Sequence, residues 1–205
     1  MKTEIIKIKG DWEEVVNDCR STVNKPPLGH EPSDQFKESL LISEHSPIRD
    51  IIIKWRWAGI KSWIATHWVR HKWECFVRTQ RSDRTGIPRD DLPQGAEVEF
   101  TGEANVQALI DTMRKRLCYQ AAPETRQYAE SLKAEIRQRD PHIAKVLVPN
   151  CVYRGGCPEQ KSCREWHNFL IWVNNQHIDI VRNMESIALR YDLYQQYLEE
   201  RKQQK

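Results

Sequence analysis

The sequence predicts an α+β fold: a small antiparallel sheet packed with several helices and followed by a helical C-terminal extension. Three observations predict it. Ile51, Ile53, Trp55 and Trp57 alternate with Ile52, Lys54 and Arg56, the period of a strand with one buried face. Val106, Leu109, Ile110, Met113 and Leu117 recur at the spacing of one helix stripe. From Glu165 onward Ile180, Val181, Met184, Ile187, Ala188, Tyr191, Tyr194 and Leu198 keep a helical register to the end. Residues 1–150 read as one catalytic-sized unit, and 151–205 as a cysteine-containing loop plus the helical extension.

In order, Met1 to Ile8 alternates enough for a short strand, and Asp11 can cap a helix carrying Trp12, Val15 and Val16. Lys25-Pro26-Pro27-Leu28-Gly29 ends that helix as a loop. Ser33 or Asp34 starts a second helix with Phe36, Leu40 and Leu41 on one side. The strand at 51–57 leads into a helix over 60–71, where Ile60, Trp63, Ile64 and Trp68 share a face. Residues 85–96 are turn-rich, and Glu97 to Thr101 reads as another short strand. A helix follows over 104–120, on which Asn105, Thr112 and Arg116 share a second stripe, since eleven residues return to almost the same azimuth about 16 Å further along. A charged helix covers Arg126 to Arg139, and Asp140-Pro141 restarts another that Pro149 closes. Cys151 to Cys163 is a loop, and the terminal EERKQQK is expected to fray.

Lys and Arg number 32 against 29 Asp and Glu, so the net charge is only +3 and any positive field must be local. Mean hydropathy is −0.74. No apolar run approaches the roughly 18 residues of a membrane span, and MKTEIIKIKG lacks the apolar core of a signal peptide, so a cytoplasmic protein without a membrane partner is expected. In that compartment the six cysteines read as thiols or ligands rather than disulfides.

The local positive field lies in WIATHWVRHKWECFVRTQRSDR, residues 63–84, where His67, Arg70, His71, Lys72, Arg78, Arg81 and Arg84 are interleaved with aromatics. Cations at a helix end and in the loop after it suit a multiply charged anion. A solvated face, or a nucleic-acid patch using Arg70 to Arg84 with Trp68 and Trp73, would show the same composition.

The order of the polar groups resembles the flavin-dependent thymidylate synthase family. That family shows a Ser/Thr-Pro stretch, a strand and helix, an Arg-His-Arg motif, a Ser-x-Arg, and a late helix opening Asn-x-Arg and carrying the catalytic arginine. Here stand Ser46-Pro47, Arg70-His71-Lys72, Ser82-Asp83-Arg84, Arg89-Asp90-Asp91-Leu92-Pro93, and Asn105-Val106-Gln107 with Arg116; from Leu92 to Ala129 the match is ungapped. Lys72 replaces the last Arg of the triplet, Gln107 the Arg of Asn-x-Arg, Asp111 a flavin-contacting Asn, His67 a substrate-contacting Gln, and Gln80 a Glu. The resemblance implies a shortened, diverged branch.

What it implies is dTMP synthesis from dUMP, with FAD bound and with NADPH and methylenetetrahydrofolate as co-substrates, in a homotetramer. Ser46, Arg70, His71, Lys72, Gln80, Asn105, Gln107 and Asp111 would hold the flavin. His67, Arg70, Ser82, Arg84, Arg89 and Arg116 would hold the nucleotide, with Arg116 as the catalytic group beside the uracil, where a permanent charge favours negative charge developing on the ring. The nearest alternative is a flavoenzyme modifying another pyrimidine nucleotide, motivated by His67 and Gln80; a non-catalytic nucleic-acid-binding protein is a reading from another class. Cys75 reads as packing. Cys151-x5-Cys157-x5-Cys163, with Cys118 before them and His167 as a rival, supplies enough ligands for zinc or an iron–sulfur cluster, but the spacing is not the tight C-x2-C of ordinary zinc sites and ordinary reduced thiols are the favoured reading.

Overall fold

A computed structural model describes residues 2–179 and 184–203. Four antiparallel strands form one sheet, β1 (Lys2–Lys9), β2 (Ile52–Lys61), β3 (Glu74–Val77) and β4 (Glu97–Asn105), in the order β1-β2-β4-β3. The expected α+β class, small antiparallel sheet and helical extension are all present.

The alternation in β2 has its predicted consequence. Ile53, Trp55 and Trp57 are fully buried, whereas Lys54 and Arg56 point to the other face and pair there with Glu103 and Glu4 at 3.5 and 2.7 Å. Around Trp57 gather Trp55, Trp68, Phe100 and Tyr128, with ring centroids 4.7–5.6 Å away. Such edge and tilted contacts add to the large apolar area each ring buries. Two glycines make this packing possible. Trp55 lies across β4 at Gly102, where a Cβ would come within 2.3 Å of the indole. Gly59, at φ +70°, sits in a bulge that sets Ala58 and Gly59 against Glu99 alone.

That bulge explains why the helix expected from Ile60 starts later. Ile60 is still paired with Val98, so α3 covers only Ser62–Trp68. It ends where other side chains take its terminal carbonyls. The Trp73 indole donates to the Trp68 carbonyl at 2.8 Å, and Arg116 donates to that of His67 at 2.6 Å. The chain then runs straight into β3, which periodicity over so few residues did not reveal.

Helix α1 (Trp12–Ser21) is capped by Asp11 and α2 (Asp34–Ser43) by Ser33, as expected. After a single turn, α4 (Ser82–Thr85), β4 runs four residues beyond the predicted 97–101, and Asn105 then caps α5 (Val106–Arg116) by accepting from the Ala108 amide at 2.9 Å. The predicted stripe of α5 is buried throughout. Helices α6 (Pro123–Arg139) and α7 (Pro141–Val146) meet at Asp140, which caps α7 and accepts from the Trp12 indole at 2.6 Å.

The cysteine loop begins as a helical turn, α8 (Asn150–Arg154), and the extension is broken into α9 (Glu165–Asn175) and α10 (Ile187–Gln203). Ile180 and Val181 lie outside the described residues. The terminal residues expected to fray are helical to Gln203, since Arg201 is held by the buried Glu165 carboxylate at 2.9 and 3.0 Å. Arg190, nearly buried, ties α10 to the end of α8 by donating to the Val152 and Tyr153 carbonyls at 2.5 and 2.6 Å. Tyr191, Leu193, Tyr194 and Tyr197 thereby join the same apolar core as the sheet.

Candidate active site

The densest group of predicted residues forms where the end of α3 meets the end of α5. Arg116 donates from Nε to Nε2 of His71 at 2.8 Å and from a terminal nitrogen to the His67 carbonyl. Its guanidinium carbon stands 5.9 Å from the Trp68 ring. Two of its five N–H groups are therefore engaged, leaving three in a fixed plane.

Accepting at Nε2 makes His71 the neutral tautomer with its proton on Nδ1. Burial, then the charges of Arg116 and Lys115, lower its pKa to about 4, so it is uncharged at neutral pH. Burial, Arg116 and Arg70 likewise lower His67, whose Nδ1 lies 2.7 Å from the Thr125 hydroxyl. Burial and Arg70 also lower Arg116, so the place is unfavourable for a further cation and favourable for an anion.

Around this group the donors are exposed. Among the described residues the side chains of Arg70, Lys72 and Arg78 have no carboxylate partner. Gln80 accepts from the Ser62 hydroxyl at 3.2 Å, at the opposite end of α3 from His71. Ser82, in α4, accepts from the Arg89 amide at 2.9 Å, which draws Ser82, Arg84 and Arg89 into one exposed loop cluster. Asp83 is taken mainly by Arg81 at 2.8 and 2.9 Å and is 3.8 Å from Arg84. The Arg89 side chain has no partner among the described residues.

The other predicted flavin residues are elsewhere. Gln107 lies on the opposite side of α5 from Arg116, as nine residues at about 100° each require, and Asp111, five residues away, lies about 140° round. Gln107 donates to Glu44 at 2.7 Å, and Arg114 bonds the same carboxylate while stacking on Tyr153 at 3.4 Å. Ser46 is exposed at the start of the short 3-10 segment Ser46–Asp50. Nothing in the sequence marks Arg114 or Thr125 for the site, Trp73 is marked only for the nucleic-acid alternative, and Glu44 has only its position two residues before Ser46.

Cys75 packs against the core from β3, as expected. The other candidate thiols neighbour one another. Burial, then Cys118, Cys163 and Cys157, push Cys151 up to about 12, and burial with Cys163 and Cys157 among its neighbours raises Cys118. Gln120 also bonds the Lys161 carbonyl, tying the turn after Cys118 to the loop. Among the described residues, however, no three His, Cys, Asp or Glu side chains are grouped as a bound ion requires.

Residues 86–142 match the family model of the thymidylate synthase complementing protein. Over that stretch the chain resembles the flavin-dependent thymidylate synthases. A curated flavin-dependent thymidylate synthase from Clostridium tetani (strain Massachusetts / E88) is 31% identical over 68 residues, 33% of this chain and 27% of that relative, so the match spans about a quarter of the relative's length. Arg89, Asn105, Gln107, Asp111 and Arg116 fall inside the family match; Arg70, His71, Lys72, Ser82 and Arg84 precede it. The fold is also similar to that of two solved structures. ThyX from Helicobacter pylori, complexed with FAD and dUMP, superposes with a TM-score of 0.60 at 10% identity, covering 72% of this chain and 100% of that one. The UMP/dUMP methylase PolB from Streptomyces cacaoi, bound with 5-Br dUMP, gives 0.58 at 14% identity over 71% of this chain and 93% of that one. Among the described residues, no helix is long and apolar enough to cross a membrane.

Proposed function

We propose that the protein is an FAD-dependent thymidylate synthase of the cytoplasm, which methylates dUMP to dTMP with carbon from methylenetetrahydrofolate and reducing equivalents from NADPH. The observation that carries this reading is Arg116: half-buried, held on two sides by His71 and His67, and with three N–H groups uncommitted. A guanidinium fixed in that way stabilises negative charge developing on a uracil carbonyl without reorganising during the reaction. His71, neutral and accepting, orients Arg116 without cancelling its charge. Ser82, Arg84 and Arg89 supply the hydroxyl and forked donors that a nucleotide phosphate needs.

The donor chemistry fits a flavin dinucleotide, since Arg70 and Lys72 are cationic, exposed and, among the described residues, without a carboxylate partner. Lys72 would meet the pyrophosphate as a point charge rather than a fork. Bound FAD would supply the hydride chemistry, and the protein's part is to hold and orient it. Gln107 and Asp111 face away from Arg116 on α5, so a complete site needs residues from more than one copy. A homotetramer would meet that need, and the edge strand β3, with Phe76 63% exposed and Val77 39% exposed beside the site, offers surface for contact between copies.

The reading is tested by purifying the protein without oxygen and following its visible spectrum. Flavin bands that shift on adding dUMP, with dTMP found by mass spectrometry after adding both co-substrates, would support it. Colourless protein that FAD cannot reconstitute, with salt-sensitive oligonucleotide binding, would replace it by the nucleic-acid reading. A second reading, methylation of another pyrimidine nucleotide, is favoured by His67, whose imidazole is tied to Thr125 and so presents a different edge from an amide. Turnover of UMP in preference to dUMP would establish that one.

A zinc ion or an iron–sulfur cluster is proposed on narrower ground, since among the described residues the thiols are near one another but not grouped as a closed ligand set. Cys118, Cys151, Cys157 and Cys163 come from three segments to one neighbourhood, and residues 155–163 have no regular structure to resist closing on an ion. Ligand sets of this type assemble fully only with the metal present.

A further inference from the structure

A cavity of about 460 Å³ lies between α6 and α10, formed by residues none of which belongs to the proposed active site. Its size is that of small-molecule sites. Five cations line it, Arg126, Lys133, Arg137, Arg201 and Lys202, against two carboxylates, Glu130 and Glu199. Arg137 is bonded to Gln195 at 2.6 Å and to Glu199 at 3.3 Å, Arg126 to Glu130 at 3.2 Å, and Arg201 to Glu165 behind the wall. Even with these pairs complete, the cavity keeps an excess of positive charge.

Two of its polar groups are placed at a cost that the protein alone does not offset. Lys133 is only 9% exposed, and its ammonium has one hydrogen bond, to the Leu147 carbonyl at 2.7 Å, so two of its three N–H groups are unmatched. Gln195 Nε2, also lining the cavity, is buried with no partner among the described residues. A buried donor without an acceptor is destabilising, and a buried cation among cations more so. Both groups are donors, and both would be satisfied by acceptor oxygens carrying negative charge.

We propose that this cavity binds a phosphorylated small molecule, its phosphomonoester seated against Lys133 and Gln195 and its organic part against Leu117, Ala134, Pro149 and Leu198. A phosphate dianion matches the charge excess and brings three acceptor oxygens, where a single carboxylate brings one charge and two. The proposal does not depend on the activity proposed above.

The test is calorimetric titration of the full chain with ribose 5-phosphate, in a background carrying Arg84→Ala and Arg89→Ala so that the loop cluster does not take the probe. Saturable one-to-one binding, weakened at least tenfold by Lys133→Met and also by Gln195→Leu, is expected. Gln195→Leu alters one partly buried side chain and keeps the test open should Lys133→Met fold poorly. Inorganic phosphate as a second probe separates the anchor from the organic part: it should bind at the same site more weakly. No binding at millimolar probe, or binding that neither substitution changes, would overturn the proposal.

Discussion

Arg116 and His71 are joined by a 2.8 Å hydrogen bond that runs from guanidinium to imidazole, and that direction decides the chemistry of both. It makes His71 an acceptor, hence neutral, and it spends one of Arg116's N–H groups on orientation. The same guanidinium caps α3 through the His67 carbonyl, where a cation opposes the negative end of the helix. Arg116 thus has a structural task whatever its catalytic one, and the two can be separated by experiment.

Arg116→Ala should lower turnover by at least 10²-fold, the loss typical of removing a preorganised charge from a reacting centre, while flavin binding survives. Arg116→Lys should recover the helix-end charge and little of the turnover, because an ammonium lacks the planar fork. Thermal melting and single-turnover kinetics on both variants check this. Equal loss of stability and activity in the two, or a fully active Arg116→Ala, would leave only the structural task.

The His71 imidazole gives a pH dependence with a definite sign. Its pKa falls from 6.5 to about 4 on folding, so between those values the unfolded chain binds more protons. Stability must therefore fall as pH is lowered from about 6.5 toward 4. Discounted for partial exposure, the effect is about 1 kcal/mol, or roughly 2–4 °C in Tm at this chain length. His67 is shifted in the same direction, so the informative quantity is the difference between wild type and His71→Gln, whose amide oxygen can still accept from Arg116. Parallel melting curves against pH would remove His71 as the source.

The Arg84 and Arg89 side chains are exposed and, among the described residues, carry no ion pair shorter than 3.8 Å, so truncating them breaks no close contact. Each, changed to Ala, should leave Tm within about 1 °C while weakening dUMP binding roughly tenfold or more, the worth of one charge-assisted hydrogen bond. Equilibrium titration of dUMP into the flavin-loaded protein reads this directly, and unchanged affinity in both variants would detach the loop cluster from the nucleotide.

Much of the fold was legible because its signals are local. The period of β2, the caps at Asp11, Ser33 and Asp140, and the stripe of α5 each depend on a few neighbouring residues. The start of α3 was misread for the opposite reason. Ile60 fits a helix face, but its pairing with Val98 across the bulge is a contact at long sequence separation. β3 was missed because four residues carry too little periodicity, and its pairing with β4 is again distant in sequence. In the site, spacing on α5 sets Arg116 on a stripe apart from Gln107, but it could not say that Arg116 would meet His71, nor that Gln107 and Asp111 would be engaged by Glu44 and Arg114.

Gly102 offers a test of the core. A methyl group there would meet the Trp55 indole at 2.3 Å, and Trp55 is enclosed by Trp57 and Trp73. Gly102→Ala should destabilise by about 2 kcal/mol or more, at the upper part of the range for overpacking, because neither a backbone strand nor a buried tryptophan yields easily. Gly95, with open space around it, is the control, and Gly95→Ala should be close to neutral. Comparable melting temperatures for the two variants would mean that the strand pair can open to accept the methyl group.

The cysteine neighbourhood makes the last prediction. Burial, reinforced by neighbouring thiols, pushes Cys151 up to about 12 and raises Cys118, and a dication reverses that balance by binding the thiolates. Protein grown with zinc should retain one equivalent per chain through gel filtration. Cobalt exchanged for it should give the intense near-ultraviolet absorption of thiolate ligation, and Cys163→Ser should lose both. Cys75→Ser and Cys19→Ser, outside the neighbourhood, should keep them. Replacement of Cys163 with no change in metal content would transfer the ion to other ligands, while six freely titrating thiols in zinc-supplemented protein would leave Cys118, Cys151, Cys157 and Cys163 as reduced packing residues around the turn that Gln120 ties to Lys161.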